Sequence, residues 1–274
     1  MAAVAAVWAL LLSLLHSSHA LIGGHDAAPG QFPYQVLTRG LDEDPLRNFG
    51  TGVLIHPEWV LTNADSVADY VGLMVTLGVV DRDSQDASRQ DIPALNVFVH
   101  PKWPGQWVWL KSHLNDIGLV QLSRPATLND FVQVAYLPEE NWYKGYSGMA
   151  ATVGGWGHHL TDGFGYRDMQ RMQWETTTVM SFPTCYRLRL FVSEHTGSLK
   201  TNHICADTKG SGPCDDDGGA PLVVRDAKKR PVVVGLFTTA ITHGEPCQSN
   251  YPSVYTRVAA HLDWIRSVVN ETLS

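Results

Sequence analysis

The stretch GPCDDDGGAPLV, residues 212–223, is the most informative part of the sequence. Three consecutive aspartates follow Cys214, and the pair Gly218-Gly219 precedes a short apolar run. A run of carboxylates beside paired glycines is typical of a solvated acidic turn. The surrounding sequence decides whether this turn is only a surface feature or part of a functional site.

Short runs rich in valine, isoleucine, threonine and aromatic residues lie on both sides of this stretch, separated by clusters of glycine, proline, asparagine and aspartate. They are GTGVLIH, WVLTNA, LMVTLGVV, IPALNVFVH, IGLVQL, AATVGGW, RPVVVGLFT and SVYTRV. Many short strands separated by turn signals predict an all-β barrel or sandwich. Only the end of the chain differs: Val258, Leu262, Ile265 and Val269 recur at the spacing of one helical face.

The first residues, MAAVAAVWALLLSLLHSSHA, are apolar, contain no charge and end in Ser-His-Ala. This pattern predicts a signal peptide over residues 1–20 that is cleaved after Ala20; a buried N-terminal helix is the alternative. No other long apolar run follows. We therefore expect a secreted, extracellular protein that does not span a membrane.

Residues 21–274 are enough for one large β domain or two small ones, with residues 138–148 as the best candidate linker.

The chain has 20 Lys and Arg against 27 Asp and Glu, a net charge of −7. This acidic balance argues against nucleic acid and anionic membranes as partners. The short basic run at residues 228–230 is interpreted as a solvated turn.

All four cysteines lie in the second half of the chain, at Cys185, Cys205, Cys214 and Cys247. An even number in an exported chain predicts two disulfides, for which the sequence alone permits three pairings. Their spacing does not fit a zinc site, and we expect no metal and no cofactor. One glycosylation sequon begins at Asn270.

Further landmarks appear in one order along the chain: LIGG at residues 21–24, then GVLIHPEWVLTNADSV, NDIGLVQL, VQVAYLP, GGWG, HICA, CDDDGGAPLV, GLFTTA and YPSVYTRV. In this order they resemble the chymotrypsin-like serine proteases over residues 21–274. The resemblance implies two six-stranded β-barrels packed face to face, with a site in the crevice between them. The N-terminal barrel would span about residues 21–137, and the C-terminal barrel with its helix about residues 138–274. We expect a monomer.

The resemblance also implies a disulfide framework, with the pairs Cys185–Cys205 and Cys214–Cys247. Two further bridges of the family are absent, and each has lost both of its cysteines. One would join residues Gly50 and Ser66, and the other would join Ala151 and Val224. Because the cysteines are lost in pairs, no unpaired thiol is expected.

Acyl transfer by a serine needs a nucleophile, a base and a carboxylate that orients the base. The resemblance assigns the carboxylate to Asp116, the base position to Asp65 and the nucleophile position to Gly218. Two of the three groups are then chemically absent, so we expect no enzymatic activity. Ser66 and Ser211 are poor replacements: the resemblance implies that the family counterpart of Ser66 points away into a disulfide, and Ser211 lies beside the pocket floor without a basic partner. The histidines at positions 56, 158, 159, 195, 203 and 243 fall in other strands or loops.

The same comparison predicts an altered oxyanion hole, because Asp216 stands where the family has a glycine. A carboxylate at that place opposes the developing negative charge. Asp217 corresponds to the residue that pairs with the N-terminal ammonium, here that of Leu21. Without such a partner its buried charge would be costly.

The substrate pocket of the family corresponds to Gly212 at its floor and to Ala240 and Ser253 on its walls. A neutral floor implies no preference for Lys or Arg. We therefore expect a non-catalytic homologue that binds an extracellular protein. The alternatives are a serine endopeptidase with a rearranged site and a structural or abundant secretory protein without a specific partner.

Overall fold

The computed structural model describes residues 24–41, 49–68, 70–105, 113–139, 145–161, 165–168, 170–190, 201–208, 212–213, 217–239 and 251–273. Several predicted features lie outside these residues: the signal peptide, Leu21, Cys214, Asp216, Ala240 and Cys247.

The first barrel consists of six antiparallel strands, and a two-residue strand, β1 (His25–Asp26), precedes it in the chain. The barrel strands are β2 (Gln35–Gly40), β3 (Phe49–His56), β4 (Trp59–Thr62), β5 (Leu73–Leu77), β6 (Gln90–Val99) and β7 (Gly118–Leu122). They lie in the order β2-β3-β4-β7-β6-β5, and the pairing of β2 with β5 closes the barrel.

The strands of the second barrel are β8 (Ala150–Gly155), β11 (Gln173–Met180), β12 (His203–Ala206), β13 (Pro221–Arg225), β14 (Pro231–Thr239) and β15 (Ser253–Arg257). They lie in the order β11-β12-β15-β14-β13-β8, and the pairing of β8 with both β13 and β11 closes the barrel. Strand β1 extends it by pairing with β11, with His25 opposite Trp174. A separate hairpin is formed by β9 (His158–Thr161) and β10 (Gly165–Asp168).

Apolar side chains that alternate along the strands fill each barrel, as the strand pattern requires. The first barrel encloses Val36, Leu54, Val60, Val75, Ile92 and Val120. The second encloses Val153, Ile204, Leu222, Val234, Phe237 and Tyr255. These two closed barrels confirm the expected all-β fold.

A third apolar cluster joins the two barrels and the end of the chain. It contains Trp59 and Leu119 of the first barrel, Val233 of the second, and Val258 and Ile265. The predicted C-terminal helix is present, but its first turn, Val258–His261, is a 3-10 helix and the α-helix α2 covers Leu262–Leu273. Asn270 is exposed on α2.

The structure contains the disulfide Cys185–Cys205, which ties the helix α1 (Phe182–Leu190) to β12. The positions of the two missing bridges are also close in space. A Cβ added to Gly50 would lie 3.2 Å from Ser66 Cβ, and Val224 pairs directly with Ala151 across the sheet.

Candidate functional site

Asp116 lies just before β7, at the crevice between the barrels, and only 1% of its surface is exposed. Its carboxylate accepts three hydrogen bonds. The Asp65 backbone N–H donates to Oδ1 at 2.9 Å, and Asn63 Nδ2 and the Thr238 hydroxyl donate to Oδ2 at 3.2 and 2.6 Å. Both barrels therefore contribute to holding this carboxylate, since Asn63 follows β4 and Thr238 belongs to β14.

Burial raises the pKa of Asp116 to about 6, from an ordinary value of 3.8. The hydrogen bonds from Thr238, Asp65 and Asn63 oppose this shift, and the negative charge of Asp65 adds to it. Asp116 therefore changes charge close to neutral pH.

Asp65 contacts Asp116 through its backbone N–H. Asp65 as a whole is exposed to solvent. The chain turns directly after β4, so residues 63–66 pass beside the first residue of β7, Gly118. A carboxyl group has an ordinary pKa far below that of an imidazole and is the weaker base. The residue at the expected base position therefore differs from an imidazole in charge and in basicity.

Gly218 lies in the turn that leads into β13, and its carbonyl oxygen accepts a hydrogen bond from the Thr51 N–H at 3.0 Å. A Cβ added to Gly218 would lie 2.6 Å from Ser66 Oγ and 3.3 Å from Asn63 Nδ2. A separation of 2.6 Å is well inside van der Waals contact. A side chain at position 218 would therefore require the Ser66 hydroxyl to rotate away and the Asn63 amide to shift slightly.

The sequence reasoning missed Asn63, which connects Gly218 with Asp116. Its side chain is 3% exposed, and its Oδ1 has no hydrogen-bond partner among the described residues. A buried amide with one unsatisfied atom is costly and uncommon. The available signal was a polar side chain directly after the buried run Trp59–Thr62.

Thr238 and His113 are two more residues that the sequence did not indicate. Because the Thr238 hydroxyl hydrogen points to Asp116, its oxygen is left to accept from His113 Nδ1 at 3.2 Å. His203, on β12, donates from Nε2 to the His113 carbonyl oxygen at 2.8 Å. An imidazole is therefore linked to Asp116 through the Thr238 hydroxyl.

Asp217 is fully buried, and its Oδ1 accepts a hydrogen bond from the Gly157 N–H at 2.9 Å. A Cβ at Gly155 or Gly157 would collide with this carboxylate, so both glycines make room for it. The predicted partner of Asp217, the ammonium group of Leu21, lies outside the described residues.

Two residues of the predicted pocket are neighbours. A Cβ added to Gly212 would lie 3.3 Å from Ser253 Oγ and 3.1 Å from Thr208 Cγ2. Ser253 is buried, so its side chain and that of Thr208 narrow the space above Gly212.

The described residues contain no group of three or more His, Cys, Asp or Glu that could hold a metal ion. Within the same residues, no helix has the length and apolar character needed to cross a membrane.

Comparisons with known proteins agree with this arrangement. Chymotrypsin-C of Bos taurus is 30% identical and matches 89% of this chain and 87% of its own length. Chymotrypsin-like elastase family member 3B of Homo sapiens is also 30% identical, over 92% and 90% of the two chains. A solved HL collagenase structure superposes with a TM-score of 0.74 at 26% identity, over 90% of this chain and 97% of that one. The Trypsin family profile matches residues 21–265, and with its two six-stranded barrels this chain belongs to that family of chymotrypsin-like serine protease domains.

Proposed function

We propose that this chain is a non-catalytic member of the family that acts by binding an extracellular protein. The observation that carries the proposal is the packing at Gly218. Serine-type hydrolysis needs an oxygen nucleophile on a side chain, and glycine has none. Moreover, the Ser66 hydroxyl lies 2.6 Å from the place where a Cβ of residue 218 would be.

The residue at the base position supports the same proposal. A general base is efficient when its pKa lies near the working pH, and it must reach the proton that it removes. Asp65 offers an exposed carboxylate instead of an imidazole. Asp116, with its three donors, holds the Asp65 backbone and not a histidine ring.

The proposed partner is extracellular because the chain carries signs of export. Residues 1–20 fit a signal peptide, and the disulfide Cys185–Cys205 is of the kind that persists in oxidising compartments. The proposed partner is a protease, the substrate of a protease or an inhibitor.

A serine endopeptidase with a rearranged site is the second candidate, and one contact favours it. His113 is linked to Asp116 through Thr238, as a base would be linked to its orienting carboxylate. Ser66 Oγ would be the nearest hydroxyl to the former nucleophile position. The relatives are named as chymotrypsin and elastase, which are proteases.

A fluorophosphonate probe and an ester substrate distinguish the two candidates. We expect the purified protein to remain unlabelled, with no hydrolysis above buffer, under conditions in which trypsin is fully labelled. The matched variants are Ser66→Ala and His113→Ala. Labelling or turnover that survives purification and is lost in either variant would establish the rearranged enzyme and exclude the proposal.

Binding is tested by affinity capture from the source fluid, followed by identification of the captured protein and calorimetry with the purified pair. The heat-unfolded chain is the control for non-specific capture. We expect saturable binding of one extracellular protein. If nothing binds the folded chain more than the control, the chain is better described as a structural or abundant secretory protein.

A further inference from the structure

His261 ends the 3-10 helix, is 4% exposed, and has an oxygen atom facing each of its ring nitrogens. Nδ1 lies 3.0 Å from the Arg257 carbonyl oxygen, and Nε2 lies 3.2 Å from Asn115 Oδ1. Both oxygens can only accept, and the shorter contact, to the backbone carbonyl of Arg257, places the hydrogen of a neutral ring on Nδ1. In a neutral ring Nε2 then has no hydrogen and is itself an acceptor. A neutral His261 therefore places two acceptors against each other at Asn115.

The orientation of the Asn115 amide is fixed by its two other contacts. Its Nδ2 donates to the Lys102 carbonyl oxygen at 3.0 Å, and its Oδ1 accepts from Asn202 Nδ2 at 3.3 Å. Rotating the amide by half a turn would place Oδ1 against the Lys102 carbonyl oxygen, so the conflict would move instead of disappearing. Only a doubly protonated His261 gives all three contacts of Asn115 a donor and an acceptor.

His100 is the nearest titratable neighbour, and its ring meets that of His261 edge to face with centroids 5.1 Å apart. Its Nδ1 accepts a hydrogen bond from the Lys102 N–H at 3.2 Å. Burial, with the charges of His261 and Lys102, lowers the pKa of His100 to about 4. His100 is therefore neutral above that pH, and a proton entering this cluster goes to His261.

Burial also lowers the pKa of His261, and its hydrogen bond to the Arg257 carbonyl opposes that shift. His261 therefore gains its second proton at a lower pH than an ordinary imidazole does. The remaining charged or titratable groups near it in the described chain are Arg257 and Asp263 on either side, His113 and Asp116 beside Asn115, and His203 on β12.

We propose that His261 is a proton-operated contact between the C-terminal helix and the loop that carries Asp116. When doubly protonated, it donates to Asn115 and holds this residue at a φ of 52°, which few residues other than glycine adopt. When His261 loses that proton, the two acceptors repel and Asn115 is released. Asp116 follows Asn115 directly, so the crevice responds to pH through this contact, whatever the chain binds.

Nuclear magnetic resonance on the folded full-length chain tests the proposal. The measurement is made on the Asp116→Asn variant, because the carboxyl of Asp116, next to Asn115 in the chain, has a pKa of about 6 and would also respond to pH. The His261 ring and the Asn115 side-chain amide are followed between pH 4 and 8. We expect both to change with one midpoint, below the ordinary value of an imidazole. If His261 titrates while the Asn115 amide does not respond, the proposal is wrong.

Asn115→Gly is the sharper variant, because glycine adopts this φ without cost and removes the acceptor that faces His261, together with the amide contacts to Lys102 and Asn202. We expect the His261 midpoint to fall by about one pH unit. Asn115→Asp should raise it, since a carboxylate accepts more strongly, and this variant serves if the glycine variant does not fold. Asn96→Ala, at an exposed amide that donates to Gln121, is the matched control and should leave the midpoint unchanged. An unchanged midpoint in both Asn115 variants would overturn the proposal.

Discussion

The buried carboxylate of Asp116 makes the stability of this protein depend on pH in a direction opposite to that of most acidic residues. Its pKa is about 6 in the folded chain, against an ordinary value of 3.8, chiefly because of burial. A raised folded-state pKa favours folding most below the unfolded pKa, and the benefit is lost as pH rises through the folded value. This group should therefore lower the free energy of unfolding by about 2 kcal/mol between pH 4 and pH 7.

The variant Asp116→Asn isolates this effect. An asparagine fits the same space, and its Nδ2 would face the Asn63 amide and Thr238. If the Asn63 amide rotates, its Oδ1, which lacks a partner among the described residues, can accept from the new Nδ2. The variant should thus keep its hydrogen bonds without the cost of a buried charge.

The assay is urea unfolding of both proteins between pH 4 and pH 8. We expect the variant to gain in stability relative to the natural chain as pH rises, by about 2 kcal/mol between pH 4 and pH 8. The gain should level off above pH 7, where Asp116 is fully ionised in both folded and unfolded chains. A stability difference that does not change with pH would refute the reasoning, as would a variant that loses stability on passing from pH 4 to pH 7.

Three further predictions concern the same crevice. Asp65→Asn should lower the pKa of Asp116, because it removes a nearby negative charge; the carbon resonance of the Asp116 carboxyl measures this, and a rise would contradict it. Gly50→Cys with Ser66→Cys should form a disulfide once the Cβ atoms, which would start 3.2 Å apart, separate by the few tenths of an ångström that a disulfide needs. The bridge should stabilise the chain by about 2–4 kcal/mol, as calorimetry with and without reductant would show. Asp65→His with Gly218→Ser should hydrolyse an ester faster in that disulfide variant than in the natural background, where Ser66 Oγ obstructs residue 218; equal rates would show that Ser66 is no obstacle.

The fold was predictable because it depends on local patterns that the sequence displays. Runs such as GTGVLIH and WVLTNA are rich in β-branched and apolar residues and end near turn residues, and both became strands of the first barrel. The helical spacing of Val258, Leu262 and Ile265 places three buried residues on one face. Even so, spacing could not show that the first turn would be a 3-10 helix, because both helix types put such residues on one side.

The contacts around Asp116 could not be predicted in the same way. Asn63 and Thr238 are 53 and 122 positions away from Asp116 in the sequence, and only barrel closure brings them together. His113 is close in sequence, but its link to Asp116 depends on the Thr238 hydroxyl. A contact that depends on a third, distant side chain leaves no periodic signal, so a residue-by-residue comparison with a family overlooks it.

Ser66 shows how such distant positions depend on each other. Its Cβ lies 3.2 Å from where a Cβ of Gly50 would be, which is the geometry of the lost disulfide, yet its hydroxyl lies beside Gly218. A cystine at these positions would draw the Ser66 side chain toward residue 50 and leave a void beside Gly218, and unfilled space in a packed interior costs stability. Conversely, a serine at position 218 would collide with the hydroxyl that now fills this space. The absence of the bridge and the absence of a side chain at residue 218 are therefore linked through Ser66. The void beside Gly218 should make the bridge alone less stabilising than the same bridge combined with Gly218→Ser.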